Sequence, residues 1–548
     1  MKKVIISLAS VMLLFASCSD SFLTRNPAGG SLTQEQFEAL SSEKLQGTLK
    51  GLYSMIYTMG GSDHDEFGQR SIDLWGDILC GDIAVTNKTY GWLYQDEQML
   101  TVSNRTGTIW TFYYDIIHNT NTTIYSINSS SGDLMGKIAK YGYPSKATEY
   151  EYTKEETNYA LYLAQALALR AYCYGNLVRW YTPDMNSTYF SGHTIDDYPC
   201  CPVYNETNMD SPQPLSASAE VYALVFQDLT NAIALFEEFG AYYEKLNNAE
   251  FVRETKLEIN LNVARGLLAY AYINAAPYYA KIDVNKQKNY YRAAVRNADA
   301  VIKSNEFRVI PNDMLYSTGF NSVDEPSWMW GQHVVTETAG GLKSWFGQCD
   351  IHSYSYAWAG DTKVLDDNLK TQIPLWDGRS GWFNDGSKNS KFKDCPDGKF
   401  FSAQNPYSTK EEDIDREWLS DNVFMRIESM YLIAAEACYF LDSITECKNF
   451  LNGIMAERIN LSYPDALTEY NTYFNALSGD KLLDAITYNW RIEMWGEGYG
   501  LQTFRRLSKK IKRGNNHDYS KGTEVNSNDA QFNMNIPSSE ATYNPNIK

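Results

Sequence analysis

The chain alternates between segments with a strong helical period and segments with none. Tyr222, Phe226, Leu229, Ile233 and Phe236 recur at steps of 4, 3, 4 and 3, which places all five on one helical face. A long helix is predicted over 159–181, with Ala160, Ala164, Ala168 and Ala171 at three- or four-residue steps. Further helices are predicted over 257–279, 290–304, 421–441, 444–458 and 481–497. They arrive in consecutive pairs with small residues available at their contacts, as in tetratricopeptide-like (TPR-like) hairpins. The expected fold is mainly α: TPR-like helical hairpins forming a superhelical scaffold, with long aromatic-rich loops and minor β.

Two stretches break the helical pattern. Residues 60–110 mix Gly, Asp, Tyr and Trp, and residues 312–420 are rich in Gly, Asp and aromatics. Asp377-Gly378, Asp385-Gly386 and Asp397-Gly398 are turn signals in the second stretch. Irregular segments of this length inside a domain are usually functional.

Composition sharpens this picture. Of 548 residues, 44% are hydrophobic, enough for a sizeable core. The length allows several domains or one large helical body. A net charge of −19 argues against a nucleic-acid partner and against non-specific docking on anionic lipid. With 41 Tyr, 23 Phe and 13 Trp, the chain holds more amphipathic aromatic surface than a core needs. Sugar rings present apolar C–H faces and a hydroxyl rim. Tyr and Trp stack on the former at little entropic cost, while Asn and Asp bond the latter. Two clusters in the irregular stretches suit this: Asn87, Tyr90, Trp92 and Tyr94, and Trp345, Phe346, Asp350, Tyr354, Tyr356 and Trp358. Tyr354, Tyr356 and Trp358 alternate as a strand would, which predicts one shared face. Trp376 and Trp382 carry no assignment from sequence.

The N-terminus reads as an export signal. Met1-Lys2-Lys3 precedes an apolar run from Val4 to Ala16, too short to span a bilayer. Leu14-Phe15-Ala16-Ser17-Cys18 resembles a bacterial lipobox, which implies cleavage after residue 17 and lipidation of Cys18. Loss of Lys2 and Lys3 takes the charge from −19 to −21. Residues 18–40 are expected to tether a body made of regions 41–230 and 231–548.

Catalytic and metal chemistry find little support in the sequence. The eight cysteines after Cys18 form no C-x-x-C, and the six histidines are isolated, so no metal site or cofactor is expected. Asp63, Asp65 and Glu66 lack calcium-loop spacing and read as a solvated acidic loop. Glu493 and Glu497 lie four apart on one predicted helix, a spacing compatible with a glycosidase pair. The favoured reading is a salt-bridge lattice with Arg491, Arg505 and Arg506, and the same holds for Glu428 and Glu436.

Several motifs, in order, carry a wider resemblance. They are Gln69-Arg-Ser-Ile-Asp-Leu-Trp-Gly-Asp-Ile-Leu-Cys-Gly-Asp82, the helix from Ala168 through Tyr181, and Arg426-Ile-Glu428 through Glu436-Ala. Asn489-Trp-Arg491-Ile-Glu493-Met-Trp-Gly496-Glu497-Gly498 and the closing Ile536-Pro537 and Asn544-Pro545-Asn546 follow. Together they resemble the SusD/RagB family of outer-membrane nutrient-binding lipoproteins of the Bacteroidetes. The resemblance implies a non-enzymatic, cell-surface lipoprotein anchored in the outer membrane. It would capture an oligosaccharide, or alternatively a peptide, for a SusC-like TonB-dependent transporter. Asp324-Glu-Pro-Ser-Trp-Met-Trp-Gly331 resembles a structural strand of the family, which implies that Trp328 and Trp330 lie in the core.

Overall fold

The computed structural model describes residues 42–59, 61, 63–87, 104–190, 192–246, 256–316, 320–400, 419–529 and 532–547. Cys18, the signal and tether region 1–40, and Tyr90, Trp92 and Tyr94 lie outside the described residues.

Helices dominate. In chain order they begin with α1 (Ser42–Ile56), α2 (Gln69–Leu79), α3 (Asn104–Ser130), α4 (Leu134–Tyr141) and α5 (Lys154–Tyr181). The middle set is α6 (Ser218–Lys245), α7 (Leu261–Ala275), α8 (Val284–Lys303), α9 (Trp345–Cys349), α10 (Tyr356–Ala359) and α11 (Asp367–Lys370). The last set is α12 (Ile427–Phe440), α13 (Ile444–Met455), α14 (Ala466–Asn475), α15 (Gly479–Glu493), α16 (Gly500–Arg506) and α17 (Ser538–Tyr543). The long helices pack in sequence: α3 on α5, α5 on α6, α6 on α7, α7 on α8, α8 on α12, and α12 on α13. Short connections such as 441–443 are those of antiparallel helical neighbours. The alanines of α5 are all buried, and small side chains let α3 and α6 approach it closely. A capping box starts α5: the Thr153 hydroxyl accepts from the Glu156 N–H at 3.1 Å, and the Glu156 carboxylate accepts from the Thr153 N–H at 2.9 Å.

Among the described residues the minor β structure is four two-stranded antiparallel ladders. They pair β1 (Ile83–Val85) with β5 (Lys363–Leu365), β2 (Pro199–Pro202) with β3 (Leu215–Ala217), β4 (Trp328–Gln332) with β6 (Asn422–Arg426), and β7 (Lys510–Lys512) with β8 (Glu524–Asn526). Trp328 and Trp330 are core residues on β4, as expected, and Trp376 and Trp382 are buried as well. Most buried apolar residues form one cluster reaching from Leu45 to Met534, and a small second cluster gathers Ala84, Ile351, Ala357, Val364 and Cys395.

Three of the expected element boundaries and segments need correction. The predicted 421–441 helix opens as strand β6, because residues 422–426 pair with β4 before the helix begins at Ile427. Residues 60–110 contain the fully helical α2. The 481–497 helix stops at Glu493, so Glu497 sits in a turn between Gly496 and Gly498, at φ +77° and +78°.

That turn is clasped from the far end of the chain. Asp77 on α2 accepts from the backbone N–H of Gly496 (2.8 Å), Gly498 (3.1 Å) and Gly500 (3.2 Å). Asp82 accepts from Arg491 Nε at 2.7 Å, while its carbonyl accepts from Trp495 Nε1 at 2.9 Å. Burial, then the Asp82 charge, push the Asp77 carboxyl up to about 8.

Below the turn lies a buried ionic cluster of Asp377, Arg379, Lys399, Arg426, Glu428, Arg458, Glu493 and Glu497. Arg426 holds Glu497 with Nε at 2.9 Å and Nη2 at 2.8 Å, and Arg458 holds Glu493 with Nε at 2.8 Å and Nη2 at 2.9 Å. Arg379 reaches both Asp377 (2.6 Å) and Glu493 (3.3 Å). Lys399 Nζ donates to the carbonyls of Glu493 and Trp495 and to Glu497 Oε1, all within 2.9 Å. The lattice reading of Glu493 and Glu497 therefore holds, but with other partners than expected. Arg491 serves Asp82, Arg506 serves Glu436, and Arg505 donates to backbone carbonyls. The solvated-loop reading of residues 63–66 fails at Asp65, which is fully buried and paired with Arg105.

Two outcomes follow. A side chain at position 498 would need a left-handed φ, costing about 1–2 kcal/mol, and its Cβ would meet Asp73 Cα at 2.7 Å. Gly498→Ala is expected to lower the urea midpoint, whereas Gly51→Ala, in open space on α1, should leave it unchanged or raise it. Burial opposes ionisation of Glu493, but Arg458, Arg426 and Arg379 outweigh it and hold the carboxyl well below its usual range. Its stabilisation is therefore complete above the unfolded glutamate value, about 4.3, and lost as pH falls through the folded value. Glu493→Gln should cost about 3–5 kcal/mol at neutral pH. In denaturant titrations across pH that gap should narrow steadily in acid; a pH-independent gap would contradict the assignment.

Candidate functional site

The ladder of β1 and β5 brings the two aromatic-rich stretches together. Its register pairs Ile83 with Leu365 and Val85 with Lys363. The contact continues outward: Thr86 N–H donates to the Thr362 carbonyl at 3.4 Å, and the two hydroxyls meet at 2.5 Å. Asn87, the first residue of the first cluster, then reaches the Gly360 carbonyl with Nδ2 at 3.5 Å. Segments far apart in sequence thus share one edge.

The second cluster is split by depth. Trp345 and Phe346 on α9 are 1% and 2% exposed and belong to the core, where Trp345 lies against Phe400 and under the Arg70 guanidinium. Asp350 is also buried, and its Oδ2 accepts from the Ser353 N–H at 2.9 Å. These three pack the loop onto the body. The strand-like alternation of Tyr354, Tyr356 and Trp358 is corrected too, since Tyr356–Ala359 is the single-turn α10, capped by the Ser355 hydroxyl on the Trp358 N–H at 3.0 Å. Helical geometry turns Tyr356 inward, where its hydroxyl meets His64 Nδ1 at 2.6 Å. It leaves Tyr354 and Trp358, four apart, as a half-exposed pair with ring centroids 5.3 Å apart.

Polar groups that sequence reasoning missed lie in the same segment, one of them against this pair. Lys391 sits over the Trp358 ring at 5.3 Å and donates to the Trp358 carbonyl. His352 Nε2 lies 2.8 Å from Asp397 Oδ1, and Asn384 Nδ2 donates to Asp397 Oδ2 at 2.9 Å. The His352 hydrogen bond holds the Asp397 carboxyl below its usual range against partial burial. The Asp-Gly signals marked this segment, but no spacing could pair His352 with a carboxylate 45 residues away.

The segment offers ring faces with an ammonium group beside them, and amide, imidazole and carboxylate groups bonded to one another within it, the chemistry that suits a polyhydroxylated ring. The competing pair, Glu493 and Glu497, offers nothing comparable. Both are buried, and their arginine and lysine partners hold each below the ordinary glutamate range despite that burial. Neither carries the raised value of a general acid. Among the described residues no cluster of three or more His, Cys, Asp and Glu could hold a metal ion, and no helix is long and apolar enough to cross a membrane.

Known proteins share this architecture. Residues 376–547, a span containing every member of the ionic cluster, match the model of the SusD family. A SusD-like protein of Bacteroides ovatus is 23% identical over 237 residues, 42% of this chain; the alignment covers only 35% of that relative. The crystal structure of a SusD-like carbohydrate binding protein from Bacteroides vulgatus is 20% identical, with 92% of this chain and 97% of that one covered at a TM-score of 0.66. A SusD superfamily protein from Bacteroides thetaiotaomicron is 18% identical, with 93% and 99% covered at 0.67. Residues 376–547 thus match the SusD family, on a SusD-like fold that extends over more than nine-tenths of the chain.

Proposed function

We propose that this protein is a cell-surface lipoprotein that binds oligosaccharides without cleaving them and passes them to a SusC-like TonB-dependent transporter. The observation that carries the reading is the Tyr354–Trp358 pair with Lys391 over the Trp358 ring, in the segment that also holds the His352–Asp397–Asn384 hydrogen bonds and that Asn87 reaches. Tyr90, Trp92 and Tyr94, which follow Asn87 in sequence, are the further candidate stacking residues. The carbohydrate-binding description of the Bacteroides vulgatus protein agrees with this chemistry. Cys18 would hold the chain to the outer membrane through acyl chains worth about 0.8 kcal/mol per buried CH₂, leaving the acidic body in solution.

Isothermal titration of the form beginning after Cys18 against a panel of oligosaccharides and peptides tests the ligand class. A sugar that binds and is recovered intact supports the reading. Binding confined to peptides would transfer the same site to peptide uptake, and release of reducing ends would overturn the non-enzymatic assignment. Trp358→Ala should weaken sugar binding by about 1–1.5 kcal/mol, roughly tenfold in Kd, with an unchanged melting temperature. An unchanged affinity would remove this pair from the site.

A further inference from the structure

The chain as a whole is acidic, with 48 Lys and Arg against 67 Asp and Glu, yet the charge balance reverses beside the Tyr354–Trp358 pair. Residues 387–393 carry Lys388, Lys391 and Lys393 and no Asp or Glu, and all three lysines are exposed. The fold brings this run against the pair. Lys391 Nζ lies 5.3 Å from the centroid of the half-exposed Trp358 ring and donates to the Trp358 carbonyl. Its Cε comes within 4.0 Å of where a Cβ on Gly360 would stand, and Gly360 is the residue whose carbonyl Asn87 reaches. The ammonium therefore stands where the two aromatic-rich stretches meet.

Carboxylates of the same segment are spent on other partners. Asp394 pairs with Lys370, Asp397 with His352 at 2.8 Å, and buried Asp361 with buried Lys363 at 3.1 Å. Lys388 has Asp385 and Asp397 as neighbours. Lys391 and Lys393 have no carboxylate partner among the described residues. The Lys391 ammonium has three donors, of which the Trp358 carbonyl takes one. A neutral ring needs only stacking faces and hydroxyl partners. An anionic ring also uses the charge, through hydrogen bonds roughly twice as strong as neutral ones.

We infer, on the reading of Tyr354 and Trp358 as a sugar site, that the oligosaccharide taken there is acidic, with a ring carboxylate or sulfate ester held by Lys391. The lysine run also offsets locally the repulsion that a net charge of −19 exerts on an anionic chain.

The test is isothermal titration of matched pairs. Oligomers of polygalacturonate, alginate and hyaluronan are compared with their carboxyl-reduced forms, and oligomers of carrageenan with their desulfated forms, which separates the carboxylate from the sulfate. An acidic oligomer should bind about tenfold more tightly than its neutral form. That ratio should shrink as NaCl rises from about 0.01 to 1 M, because screening removes the charge contribution. Lys391→Gln should lower the ratio about fivefold, and Lys391→Arg should preserve it. The parent comparison stands by itself if a variant does not fold. Equal affinity for acidic and neutral forms, or binding of neutral oligosaccharides alone, overturns the acidic assignment and leaves the sugar site standing. Binding of no sugar at all removes the sugar site and the acidic assignment with it.

Discussion

Glu493 sits where a helix least tolerates a carboxylate. It is the last residue of α15, at the negative end of the helix dipole, and it is completely buried. Three arginines from three other segments converge on it: Arg379 from the turn after Asp377, Arg426 from the end of β6, and Arg458 from the turn after α13. Four acidic and four basic side chains complete the cluster. A buried cluster of this kind adds little net stability over an apolar core, because desolvation offsets most of the attraction. Its consequence is specificity. Any segment placed wrongly leaves a charge unpaired in a dry interior, so the arrangement of these segments is settled together.

The placement of the loops follows from that arrangement. Arg426 ends the strand that pairs with β4, and Lys399 anchors the segment after the Asp-Gly turns through two backbone carbonyls and Glu497. The segment from 345 to 400 is thereby held at both ends, with Trp345 and Phe400 packed together beneath it. The β1–β5 ladder adds the third constraint by drawing residues 83–87 to the same edge. Only after the buried half of the segment is fixed do Tyr354 and Trp358 emerge as a surface. Part-exposed rings and rings that pack the loop therefore alternate within a few residues of one another.

Much of the scaffold was legible from local pattern. The five-residue face of α6 and the alanine steps of α5 are direct readouts of helical period, and both helices form where that period predicts. The pairing of consecutive helices was legible because short connections leave few alternatives. Boundaries were not legible where tertiary pairing overrides propensity. Residues 422–426 became a strand because β4 supplies a partner, and α15 ended at Glu493 because Gly496 and Gly498 take left-handed backbone that Asp77 pins from α2. The aromatic cluster at 345–358 was visible in composition, but its division into core and surface was not, since a single helical turn and a strand distribute the same side chains differently.

The sequence by itself determined a helical scaffold, a lipobox-like start, an aromatic excess in two irregular stretches, and carboxylates destined for ion pairs instead of acid–base chemistry. Those properties are carried by neighbours within a few residues, where period, charge and turn chemistry are readable. Only the tertiary structure decided which arginines answer Glu493 and Glu497, that Asp65 is buried, that His352 and Asp397 meet, and that Tyr354 and Trp358 face outward. Each of these depends on segments tens to hundreds of residues apart sharing one low-dielectric interior or one edge. A chain records which groups need partners, but the partners are chosen when the whole interior closes at once.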